Sequence, residues 1–113
     1  MLLNGGTLDG VSVLKPETVL QMAGKGIPHT SVLRPGVFWG LSMCVFDAPK
    51  AAGSARAAGS YGWSGAYGTH FFVDPLHRLE AVLGVNRSNI GGASSPVSAA
   101  LEAAVRADLL PLG

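Results

Sequence analysis

Charge is scarce in this 113-residue sequence: Asp, Glu, Lys and Arg make up 13% of it, and the net charge is +1. Free-standing domains usually carry about a quarter or more of charged residues on their surfaces. Hydrophobic residues make up 48%. So apolar a chain reads as part of a larger body. Basic runs are absent, which excludes nucleic acid and anionic membrane surfaces as expected partners. So are apolar runs of about 18 residues, which excludes a transmembrane helix. The start, "MLLNGGTLDG", has neither the basic nor the long apolar segment of a secretory leader; nothing names a compartment. A single cysteine, Cys44, excludes an internal disulfide. It lies in "LSMCVFD" and reads as a buried structural thiol. The histidines at 29, 70 and 77 lack metal-ligand spacing, so neither metal nor cofactor is expected.

What is present reads as one α+β unit. "MLLNGG" resembles a helix end stopped by glycine. "TLDGVSVL" predicts a hairpin turning at Asp9-Gly10. "KPETVLQMAG" predicts a short helix, with Pro16 in its first turn, Glu17 at its positive end and Gly24 beyond it. Residues 25–37 read as loop and 38–47 as one strand. Residues 48–60, rich in Ala and Gly, read as an exposed connection or lid. Strand segments follow near 60–65, 68–74 and 78–86, close enough for an antiparallel meander. Ser95 and Pro96 then start a helix with apolar residues at 97, 101, 104, 105 and 109. The expected architecture is an antiparallel sheet of about four strands with flanking helices.

Two serines invite a catalytic reading, and local context opposes both. Gly62-Trp63-Ser64-Gly65-Ala66 approaches the G-x-S-x-G elbow, but its fifth residue is alanine. "YGTHFFVDP" then continues as strand where the elbow needs a helix. Ser12-Val13-Leu14-Lys15 spells S-x-x-K, which requires both residues on one helical face. Pro16 disfavours helix at Lys15, and the turn at 9–10 makes Ser12 a hairpin residue. His70 reads as a satisfied sheet histidine, His77 as a solvated turn residue and Asp74-Pro75 as a turn pair. Glycines at 62, 65 and 68 let a ligand or another backbone approach a strand closely; a bend or bulge explains them equally well.

"LLNGGTLDGVSVLKPETVLQMAG", "FWGLSMCVF" and "YGWSGAYGTHFFVDPLHRLEAVLGVN" together resemble the C-terminal part of serine β-lactamase-related proteins. These are the class C β-lactamases, D,D-peptidases and β-lactamase-like esterases. The resemblance covers essentially residues 1–113. It implies a partial β-lactamase/transpeptidase-like fold and hydrolysis of small-molecule esters, amides or β-lactams by the complete protein. In that family a cleft-lining strand carries a K-T-G-like triplet, often H-x-G or W-x-G in the esterase-like branch. Trp63-Ser64-Gly65 matches it. The resemblance implies that Trp63, Ser64 and Gly65 contact substrate and that the Ala66 N–H is an oxyanion-hole donor. Trp63 in place of lysine removes the charge that would bind a β-lactam carboxylate, which tilts the expectation toward esters and amides. The family's S-x-x-K and Y-x-N motifs have no counterpart, so no catalytic residue is assigned. The expectation is a piece that begins inside its fold and is inactive alone. The alternative is a non-catalytic module that binds a ligand or self-associates through exposed apolar faces.

Overall fold

The computed structural model describes residues 1–25, 31–92 and 95–109. A 3-10 turn at Leu2–Asn4 ends on Gly5 in the left-handed region. The hairpin β1 (Thr7–Leu8) and β2 (Val11–Ser12) follows, turning through Asp9 and Gly10 at φ 48° and 81°. Two positive-φ residues are what a tight hairpin turn demands. Helix α1 covers Pro16–Met22. The remaining strands are β3 (Val32–Arg34), β4 (Val37–Trp39), β5 (Cys44–Phe46), β6 (Ser60–Ser64), β7 (His70–Asp74) and β8 (Leu79–Leu83). Helix α2 (Pro96–Leu109) closes the described chain.

Strands β3 to β8 form a six-stranded antiparallel meander in sequence order. The fold class is therefore α+β as expected, but the sheet is larger than the four strands anticipated. The difference has two sources. The segment 25–37, expected as loop, contains β3 and the Pro35-Gly36 turn. The expected single strand 38–47 is broken: Gly40 N donates to the Met43 carbonyl at 2.8 Å, which closes a turn between β4 and β5. "FWGLSMCVF" is apolar almost throughout, so no change of periodicity marks that turn.

The register sorts side chains onto two faces. Phe38, Val45, Tyr61 and Val73 form one row across β4–β7. With Ala23 and Met43 they make the larger core, packed by Leu2, Leu3 and Met22. Val73 is 1% exposed, and its burial contributes roughly 2 kcal/mol. The opposite face carries Val37, Cys44 and Phe46, flanked by Trp39 and Ala52. Further along that face come Ser60, Gly62, Ser64, His70 and Phe72. Gly62 is required there: a Cβ would stand 2.2 Å from the Phe71 carbonyl oxygen and 2.8 Å from the Phe72 Cα.

Helix α2 starts where expected, with Ser95 Oγ accepting from Ser98 N at 3.1 Å as a cap. Its expected apolar stripe is only partly used. Leu101 and Val105 are half-buried, whereas Val97, Ala104 and Leu109 are exposed. Ser98, Ala99, Glu102 and Ala103, one helical face by their spacing, border a cavity against the second sheet face.

Candidate functional site

The cavity holds about 540 Å³ between the second sheet face, the 52–56 loop and α2. Val37, Cys44, Phe46 and Trp63 supply apolar walls, and Ser64, His70, Arg56 and Glu102 supply polar groups. A smaller hollow of about 200 Å³ adjoins it, bordered by Trp63, Ser64, Gly65, Thr69, His70 and Phe71. Ser64 and Trp63 thus border both.

Pairing builds this corner. Ser64 is the last residue of β6 and faces His70, the first of β7. The turn between them is held by Gly65 N donating to the Thr69 carbonyl at 2.8 Å and Gly68 N to the Gly65 carbonyl at 3.1 Å. Gly92 N also donates to the Gly65 carbonyl, at 3.0 Å. The Ala66 N–H meets no backbone acceptor among the described residues. Trp63 stands with its ring 4.5 Å from that of Trp39, tilted by 53°.

Ser64, His70, Glu102 and Arg56 form a continuous polar chain. Ser64 Oγ lies 2.7 Å from His70 Nδ1. His70 Nε2 lies 3.0 Å from Glu102 Oε1. Arg56 grips both oxygens of Glu102, Nε to Oε2 at 2.9 Å and Nη2 to Oε1 at 2.5 Å. Such two-point guanidinium–carboxylate pairs are the strongest of the common ion pairs. Burial opposes the Glu102 charge, yet the hydrogen bonds from Arg56 and His70 outweigh it and hold the carboxyl at about 2. The Arg56 guanidinium also lies 4.3 Å from the Phe46 ring centre and 5.4 Å from that of Phe72. The 48–60 segment, expected as an exposed connection or a lid, is pinned to the sheet and to α2 at Arg56.

Other candidates fall elsewhere. Ser12 is exposed at the end of β2, and Lys15 is extended at φ −71°, ψ 146° ahead of Pro16, so the S-x-x-K letters form no helical pair. Tyr61 is in the larger core, where burial raises its phenol pKa, and Tyr67 is exposed; neither borders the cavity. Cys44 is buried and its thiol pKa is raised, mainly by burial, which makes it a poor nucleophile. His70 is satisfied within the sheet, as expected. His77 is exposed in its turn, as expected, and also pairs through Nδ1 with the buried Asp74 carboxylate at 2.8 Å. His29 lies outside the described residues.

Comparisons with known proteins bear on this geometry. The chain is 35% identical to Esterase EstB of Burkholderia gladioli over 94 residues, 81% of the chain and 24% of that esterase. It is also 35% identical to Protein Rv1367c of Mycobacterium tuberculosis over 88 residues, 66% of the chain and 21% of that protein. A solved structure, EstCE1, "a hydrolase with promiscuous acyltransferase activity", superposes with a TM-score of 0.72 at 25% identity, covering 91% of the chain and 26% of EstCE1. The chain belongs to the β-lactamase-related hydrolase family. It spans about a quarter of the length of the relatives it matches. No family model matches the sequence.

Sequence reasoning singled out Trp63, Ser64, Gly65 and Ala66; Trp63 and Ser64 border both hollows and Gly65 the smaller one. It missed Arg56 and Glu102. Arg56 is the one charged residue in "AAGSARAAGS", and Glu102 interrupts the alanine-rich run "SAALEAAV". A lone charge in an apolar segment is the signal that was there to use.

Proposed function

We propose that the chain is the C-terminal portion of a β-lactamase-like serine hydrolase, supplying the third-motif strand of a cleft for neutral esters or amides. One observation carries this: Trp63 and Ser64 end strand β6 where both hollows meet it, Gly65 follows at the smaller hollow, and strand β7 comes next. Trp63 and Ser64 contact the substrate, Gly65 keeps the strand edge open, and the Ala66 N–H helps hold the oxyanion. The serine nucleophile and its base come from family sequence outside these residues, because covalent catalysis needs both within reach. Alone, the chain turns over neither a p-nitrophenyl ester nor a chromogenic cephalosporin above background. Joined to a family segment that carries S-x-x-K and Y-x-N, it contributes to ester hydrolysis. If the joined protein is equally active with and without residues 60–66, the assignment fails.

Exposed apolar residues on the sheet's two edge strands support a second reading, a self-associating module. Val32 on β3 is 67% exposed and Val82 on β8 is 77% exposed. Unpaired strand edges are ready templates for a second chain. Light scattering that shows a concentration-dependent oligomer favours this reading, and a monomer across the range removes it.

A further inference from the structure

Ser64, His70 and Glu102 have the components of a hydrolytic triad, and their hydrogen bonding also fixes how the Ser64 hydroxyl can meet a ligand. Glu102 is ionised and already held at both oxygens by Arg56. In the neutral imidazole a single hydrogen sits on one of two nitrogens. Nε2 has two neighbours: Glu102 Oε1 at 3.0 Å and Arg56 Nη2 at 3.4 Å. A bare Nε2 would accept a long bond from Arg56 but set its lone pair against a carboxylate oxygen at closer range. The closer, charged partner decides, so Nε2 carries the hydrogen and donates it to Glu102. Nδ1 is then bare, and at 2.7 Å it accepts the hydrogen of Ser64 Oγ. A serine has one hydrogen. With that hydrogen committed, Ser64 turns only lone pairs toward the cavity.

We infer that His70 holds Ser64 as a hydrogen-bond acceptor, so that this corner selects neutral acyl compounds bearing an N–H or O–H donor and disfavours carboxylates. The inference rests on the cleft reading above and adds the class of ligand. Arg34 also borders the cavity, but at its far end. It pairs with Val37, in the row of Phe46 and Ser60, which puts its backbone three strands across from Ser64 and four positions, about 13 Å, along the strands. His70 and Glu102 are positioning residues here, since they act through Ser64.

Two measurements on the 113-residue chain test this. Long-range ¹H–¹⁵N correlation of the His70 ring reports the tautomer without any activity. The expected spectrum shows Nε2 protonated and Nδ1 bare. Hydrogen on Nδ1, or on both nitrogens, overturns the inference. Glu102→Gln keeps an acceptor for Nε2 and retains this tautomer. Glu102→Ala leaves Nε2 to Arg56, so the hydrogen moves to Nδ1 and the serine hydrogen is freed. The second measurement titrates benzamide and benzoate, following the Ser64 and His70 signals. Benzamide acts at roughly tenfold lower concentration in the native chain, from the cost of facing an anion with unshared lone pairs. Glu102→Ala abolishes that preference and Glu102→Gln keeps it. Benzoate acting equally or better in the native chain sinks the inference while leaving the cleft intact. Silence toward both probes sinks the cleft reading itself, and the selection with it.

Discussion

Replacing Arg56 by alanine removes the tie between a loop, a helix and the sheet. The Arg56 side chain is 7% exposed and that of Glu102 is 18% exposed. Truncating one partner of a buried ion pair typically costs 3–5 kcal/mol, because the other charge stays behind unpaired. Glu102 keeps some solvent and His70, so the lower end applies, about 3 kcal/mol. The stacking of the guanidinium on Phe46 contributes to the same loss and is not added to it. A chain of this size has about 5–15 kcal/mol in all. In urea, with a slope of about 2 kcal/mol/M, the unfolding midpoint falls by about 1.5 M. Glu102→Ala and the double variant complete a cycle whose coupling term isolates the pair, with about 2 kcal/mol expected. A midpoint shift under about 0.3 M, or a coupling near zero, refutes the view that Arg56 anchors this loop.

Acid unfolding follows from the same pair. The Glu102 carboxyl lies at about 2 in the folded chain against an ordinary 4.5, so its stabilisation, up to about 3 kcal/mol, is present above pH 4.5 and lost as pH falls toward 2. Circular dichroism against pH shows that loss in the native chain, and Arg56→Ala flattens it. Gly62→Ala drives a methyl group into the β7 backbone at Phe71; overpacking of this kind costs about 1–3 kcal/mol, read as a fall in Tm of several degrees. Ser95→Ala removes the cap on Ser98 N and costs about 1 kcal/mol, seen as faster amide exchange in the first turn of α2.

Local chemistry made much of the fold legible. Asp9-Gly10, Pro16 with Gly24, and Ser95-Pro96 each impose a backbone geometry on their neighbours alone, and each element they announce is present. The β4–β5 turn was not legible, since its signal is a hydrogen bond from Gly40 to Met43 inside an apolar run. Nor was β3, whose residues are exposed and lack a buried face to pattern them. For the site, a strand could be recognised near residues 60–65 and the cleft triplet from resemblance. The Arg56–Glu102 pair joins residues 46 apart in sequence. Only the packing of α2 against the sheet brings them together, and neither residue has a motif around it.

Whether Ser64 attacks substrate itself or serves a nucleophile supplied from elsewhere is decided by intact-mass spectrometry of the chain after treatment with a fluorophosphonate. A chain that contributes only the cleft strand keeps its native mass. A stoichiometric adduct, mapped to Ser64 and lost in Ser64→Ala, would contradict that role and make Ser64–His70–Glu102 a working triad.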